Sequence, residues 1–329
     1  MRKWRLSRHD KIAGMAAETP RGTVLDVVRT PEERFAAITD YPWPVQYAEV
    51  GSPGDDTCPG PLRIAFVDEG PRDAPVVLLL HGEPTWGYLY RHMIPVLLDA
   101  GLRVVVPDLV GFGRSDKPSD PAAYTYARHV AWTRALCDEL GLSDLTLFCQ
   151  DWGSLIGLRM VGEQPERFAR VVVGNGFLPA GEQPPTPAFR AWRAFARWTP
   201  VLPISRIVAF GTKRKLSKAE RAAYDAPFPG RRYLAGARVF PKLVPPDAGD
   251  PAMPAQREAW ASLGSFEKPF LCLFGKLDPI LGRADGPLIA HVPGAQGQPH
   301  DRLVGGHFVQ EDVGPELAAR IVELVQRTS

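Results

Sequence analysis

The stretch "LFCQDWGSLIGL", residues 147–158, decides the reading of the fold. A short apolar run reaches the polar pair Gln150-Asp151, and a helical pattern starts at once with Trp152 and Gly153. That is the signature of a buried strand, a tight turn and a helix, with Asp151 at the tip of the turn. Other apolar runs end in the same way. "VVLLLHG" (76–82), "RVVVPD" (103–108), "RVVVGN" (170–175) and "FLCLFGKLD" (270–278) read as buried strands closing on polar residues. Helical periodicity falls near 124–141, 153–163 and 311–327. Buried strands alternating with helices predict a mostly parallel sheet covered on both faces. In such sheets ligands sit beyond the carboxyl ends of the strands, so chemistry is sought in the polar residues that follow them.

Composition sets few further limits. The chain has 329 residues, 45% apolar and 23% charged, with a formal charge of +2. So small and evenly spread a charge excludes nucleic acid or a membrane surface as a partner class. No apolar run approaches the roughly 20 residues of a spanning helix. Residues 1–26 are read as a basic N-terminal extension without a signal-peptide core, with Met15 as an alternative start. Cys58, Cys137, Cys149 and Cys272 form no CxxC pair, which makes zinc and redox readings weak. A cytoplasmic enzyme without disulfides, metal or cofactor is the expectation. The segment 176–262 is rich in proline and aromatic residues and lacks a strand pattern, but carries helix-like pieces such as "TPAFRAWRAFARW" and "SKAERAAYDA". It is expected to be a helical cap inserted into a main domain formed by 27–175 and 263–329.

Asp151 carries the chemistry of this reading. A nucleophile on a sharp strand-to-helix turn stands exposed above the sheet, and the residue after it offers a backbone N–H to an oxyanion. The frame Cys149-Gln150-Asp151-Trp152-Gly153 keeps the second of the two glycines usual in such turns and replaces the first by Cys149. The bland alternative is an N-capping aspartate. His307, in "GGHFVQED" before the last helix, stands where a general base falls in the chain order nucleophile, acid, base. Asp278 is the candidate to orient it, with Asp285 and Glu182 as rivals. The Glu83 amide, in "HGEPTWGYLYRHM", is the second expected oxyanion donor beside that of Trp152.

A serine attacking a saturated carbon would leave an ether that activated water does not readily cleave. A carboxylate leaves an ester, and an ordinary carboxylate is already ionised at neutral pH. Asp151 therefore suits displacement at tetrahedral carbon, with His307 activating water in the second step. Two leaving groups fit: a halide, which wants N–H donors in a dry pocket, and an epoxide oxygen, which wants an acid. The indole of Trp152 can only donate, and Trp192 or Trp198 in the cap could supply a second donor. Tyr224 and Tyr233 are the acids an epoxide would need. A fluoroacetate-type site would need cations near a carboxylate, and no arginine lies directly beside Asp151 in sequence.

From "VVRTPEERF" (27–35) nearly to the C-terminus the chain resembles the haloalkane dehalogenases of the α/β-hydrolase superfamily. The similarity is carried most specifically by "HGEPTWGYLYRHMIPV", "DLVGFGRSDKP", "QDWGSLIGL", "YDAPFPGRRYLAGARVFP" and "GGHFVQED". The resemblance implies an eight-stranded sheet with the cap after the sixth strand. It implies Asp151 as nucleophile, His307 as base and Asp278, after the seventh strand, as acid. The Glu83 and Trp152 amides would form the oxyanion hole and the Trp152 and Trp192 indoles would hold halide. Expected partners are a small halogenated alkane, water and halide, with a monomer as the default assembly. Epoxide hydrolysis by the same Asp151 and a non-catalytic ligand-binding role are the alternatives; the second requires loss of triad residues that are present here.

Overall fold

The computed structural model describes residues 26–51, 60–179, 187–199 and 201–328. The expected N-terminal extension to residue 25, Cys58, Glu182 and the Trp198 side chain lie outside the described residues.

Eight strands form one sheet: β1 Gln46–Val50, β2 Leu62–Glu69, β3 Val76–Leu80, β4 Arg103–Pro107, β5 Leu145–Cys149, β6 Phe168–Val173, β7 Phe270–Gly275 and β8 Asp301–Leu303. Their spatial order is β8-β7-β6-β5-β3-β4-β2-β1. Only β2 runs against the others, pairing antiparallel with both β1 and β4. The central strands β3, β5 and β7 are buried at every position, as unbroken apolar runs on a doubly covered sheet must be. β1 and β8 lie at the edges and carry half-polar sequences, "QYAEV" and "DRL". A search for continuous apolar runs passes over such strands.

The helices flanking the sheet include α1 Ile94–Asp99, α2 Tyr126–Glu139 and α3 Trp152–Glu163. Between β6 and β7 come α4 Pro187–Trp198, α5 Ile204–Gly211, α6 Lys218–Asp225, α7 Ala235–Leu243 and α8 Met253–Leu263. The chain closes with α9 Asp285–His291 and α10 Val309–Thr328. Ser217 begins α6 with a full capping box, its hydroxyl accepting from the Glu220 amide while Glu220 accepts from the Ser217 amide. The last of the inserted helices packs on the main domain. A side chain on Gly162 would run into Ala259, and Arg159 donates to Gln256 at 3.0 Å. We propose the boundaries expected from the sequence, a cap of 176–262 inserted between 27–175 and 263–329, with α8 as the helix that docks it on the main domain.

Register explains why residues far apart in sequence share one edge. Leu80 pairs with Cys149, Cys149 with Val173, and Val173 with Cys272. The residues that follow β3, β5, β6 and β7 leave the sheet side by side, under the inserted helices.

Candidate active site

Asp151 adopts φ 50° and ψ −124°, a left-handed conformation that costs a side-chain-bearing residue about 1–3 kcal/mol. Close packing maintains it. A Cβ on Gly153 would collide with the Leu80 carbonyl, and one on Gly82 would meet the Asp151 side chain. The first frame position tolerates Cys149 because that residue is still within the buried strand β5.

The turn lifts the Asp151 carboxylate between two groups. The Glu83 amide donates to its Oδ1 at 2.8 Å, and His307 Nε2 lies 3.5 Å from its Oδ2. The Trp152 amide belongs to the first residue of α3, among the N–H groups that a helix cannot pair internally. On the far side of the imidazole, His307 Nδ1 lies 2.9 Å from Asp278 Oδ2. Asp278 also accepts from the Ile280 amide at 2.8 Å. Burial raises the Asp278 carboxyl, but the His307 charge and these hydrogen bonds outweigh it and hold it below the usual carboxylate range. Burial pulls His307 down, and the two carboxylates overcome it, holding the imidazole up at about 10. Asp285 is spent elsewhere, gripped by Arg302 through hydrogen bonds of 2.7 and 2.9 Å.

Two residues that the sequence reading did not single out brace this arrangement. Asn175, at φ 42° after β6, donates from Nδ2 to the carbonyls of Gly306 and His307. Its Oδ1 accepts from the Gly275 amide at 2.6 Å, and its own carbonyl accepts from the Asp151 amide. One buried side chain thus ties the ends of β6 and β7 to the histidine loop, and its backbone ties in the nucleophile turn. Gln150 donates to the His307 carbonyl at 3.2 Å from below. The only sequence signal for either is a polar residue within two positions of the end of a buried strand.

Above Asp151 lies a cavity of about 600 Å³. Asp151, His307, Glu83, Trp152 and Trp192 all line it, among mainly apolar side chains. The Trp152 ring is fixed by Phe240 (centroids 4.5 Å apart) and edge-on by Tyr126 (5.3 Å). Burial first, and then the Asp151 charge, push the Glu83 carboxyl well above its usual range. The Trp192 side chain lines the same cavity as Glu83 and acts to lower its carboxyl. Neither Tyr224 nor Tyr233 lines the cavity. Tyr224 is fully buried and donates to Glu311, so neither tyrosine offered as the acid for an epoxide is among the described lining residues.

The inserted helices are locked to the histidine loop. Glu311, buried at the start of α10, pairs with Arg91 and Arg214, which both also hold Glu220 of α6. Asp312 accepts from the amides of Lys213, Arg214 and Gly306. His92, Glu220 and Glu311 have the composition of a metal site, but Arg91 and Arg214 already neutralise its two carboxylates.

Comparison with known proteins shows the family to which the chain belongs. The family profile for the alpha/beta hydrolase fold matches residues 75–233. A haloalkane dehalogenase of Mycolicibacterium paratuberculosis is 59% identical over 302 residues, which make up 92% of this chain and 99% of that one. Another, from Psychrobacter cryohalolentis, is 48% identical over 92% of this chain and 98% of its own. Among solved structures, the tetrameric haloalkane dehalogenase DpaA of Paraglaciecola agarilytica superposes with a TM-score of 0.83 at 36% identity, covering 90% of this chain and 97% of that one. An aspartate on a tight strand-to-helix turn, facing a histidine and two cavity-lining tryptophans, is thus found on a chain that belongs to the haloalkane dehalogenases, a family of the α/β-hydrolase fold.

Proposed function

We propose that the chain hydrolyses carbon–halogen bonds of haloalkanes to an alcohol, a halide and a proton. In the first step an Asp151 oxygen attacks the halogen-bearing carbon from behind. The carbon–halogen bond breaks, and the halide takes the electron pair toward the indole N–H groups of Trp152 and Trp192. The product is an alkyl ester on Asp151. That ester no longer carries the charge that helped to hold the His307 proton, so the imidazole is released to act as a base. Neutral His307 then takes a proton from water, and the hydroxide adds to the ester carbonyl. The developing oxyanion falls to the Glu83 and Trp152 amides. Collapse expels the alcohol and restores the Asp151 carboxylate, while Asp278 stabilises the transient imidazolium.

One observation carries the reading. The Asp151 carboxylate sits between the Glu83 amide and His307 and opens into a cavity that both tryptophans line. The test is His307→Gln incubated with a bromoalkane and weighed by intact-mass spectrometry. A stable adduct equal to the alkyl group is expected, and an unmodified protein would refute the covalent step. Asp151→Ala should release no bromide.

The proposed ligands are a small haloalkane, water and halide, with neither metal nor cofactor taking part. No helix among the described residues is long and apolar enough to cross a membrane, and we propose a cytoplasmic location. The sequence reading takes a monomer as its default, whereas the solved relative is a tetramer. Light scattering on the purified chain distinguishes the two assemblies.

A further inference from the structure

The cavity is graded from floor to mouth. Its acids, Asp151 and Glu83, lie at the floor with His307. Its walls are Leu155, Phe177, Phe189, Pro241, Val244 and Ile280. α5 and the residues just after it contribute the exposed Arg206, Phe210 and Lys213 to the same lining. Phe210 is 87% exposed and Phe195, across from it on α4, 43% exposed, so the apolar wall runs out to solvent instead of closing over. Neither Arg206 nor Lys213 forms an ion pair among the described residues. Asp312 is near Lys213, but its carboxylate is taken up by the three backbone N–H groups described above. The Lys213 chain passes beside Gly306, next to the base, with its Cε 3.3 Å from where a Gly306 Cβ would stand.

The size of the cavity points the same way. At about 600 Å³ it falls in the middle of the roughly 300–1,000 Å³ that takes drug-sized ligands, far more than a two- or three-carbon haloalkane fills. A ligand matched to the whole cavity has a halogenated carbon at the floor, a long apolar body and a negative group at the mouth.

We infer that the pocket is built for long-chain halogenated organic anions, with ω-halogenated carboxylates as the substrate class and Arg206 and Lys213 as the residues that receive the distal carboxylate. This rests on the function proposed above and deepens it. Among the described residues neither a lysine nor an arginine pairs with Asp151, whose one charged neighbour is the catalytic-site His307. The anion is recognised at the opposite end of the chain from the reacting carbon, so short haloacids gain nothing from it.

The test compares ω-bromocarboxylates of about six to twelve carbons with their methyl esters, following bromide release. For each length the readout is the ratio of kcat/KM for the acid over that for the ester. Exposed ion pairs are each worth a factor of about 1.5–5, so two cations should raise the ratio about two- to 25-fold once the chain reaches the mouth. The ratio should fall to about one in the double variant Arg206→Gln, Lys213→Gln, and in salt concentrated enough to screen exposed charges. Charge reversal, Arg206→Glu with Lys213→Glu, should drive it below one. A wild-type ratio at or below one for every length overturns the inference, as does a raised ratio that survives the double substitution. Bromide release from the esters alone would overturn the anion inference and leave the proposed function intact. Release from neither series, nor from 1-bromobutane, would remove both.

Discussion

Replacing Asp278 by Asn separates the two chemical steps, because only one of them uses the imidazole as a base. The asparagine keeps the size of the side chain and an oxygen to accept from His307 Nδ1, but removes the negative charge now 2.9 Å from that nitrogen. Both side chains are buried, Asp278 completely and His307 to within 9%. Two unit charges about 4 Å apart interact by about 4 kcal/mol at an effective dielectric constant near 20. At 1.36 kcal/mol per decade, that is about three orders of magnitude. The loss falls on ester hydrolysis, whose transition state makes an imidazolium, and not on halide displacement, in which His307 transfers no proton. Rapid-quench kinetics with a bromoalkane should therefore show one equivalent of bromide released at a rate within a few-fold of wild type. Turnover after it should be about 10³ times slower, and intact mass should show the accumulated alkyl-enzyme. A bromide burst slowed as much as turnover, or steady-state turnover with no adduct, would refute the division of labour between Asp151 and His307.

Trp152→Phe keeps the ring packed on Phe240 but loses the N–H; a hydrogen bond to a charged group is worth about 1.5–3 kcal/mol, so bromide affinity should fall at least tenfold, and an unchanged fluorescence titration would deny the role. Trp192→Phe should act likewise, and Trp198→Phe should not. Glu311→Gln leaves Arg91 and Arg214 facing each other across a lost charge and should destabilise the fold by about 3–5 kcal/mol, read from urea unfolding. Burial raises the Glu311 carboxyl, but the arginines outweigh it and leave it below the ordinary value of 4.5; its contribution to stability is therefore complete above that pH and lost as acid protonates it, so wild type should lose more stability on acidification than Glu311→Gln. The hydrolytic step should fail as pH drops through the value of His307 in the ester form, which lies below the resting value of about 10 because Asp151 is then uncharged; a kcat independent of pH from 5 to 9, by stopped-flow at about those limits, would contradict this.

What could be read from the sequence follows from which interactions leave a pattern. Buried central strands such as "VVLLL" and "LTLFC" are apolar on both faces and announce themselves, and the residues after them hold Glu83, Asp151 and Asp278. His307 was legible through its glycines and the helix that follows. The edge strands were not, since one face or more is polar, and β8 is only three residues long. Nor were Asn175 and Gln150, whose partners are backbone carbonyls about 130 to 160 positions away and leave no local periodicity. The cap fared unevenly. α4 and α6 lie in stretches read as helix-like from the sequence, whereas α7, which contains Pro241, and α5 were not singled out. The cations at the cavity mouth had no sequence signal, because Arg206 and Lys213 look like any surface pair until the fold brings them to the lining of the cavity that also holds Asp151.

The carboxylate of Asp312 is held by main-chain groups of two segments, one from the inserted helices and one from the loop carrying the base. No portion of the chain near Lys213 can swing outward without dragging that loop along and misaligning the proton acceptor. Evolutionary or engineered widening of substrate range is therefore channelled into exchanging individual side chains on α4, whose position the Asp312 and Glu311 anchors leave untouched, rather than into hinging the roof as a lid.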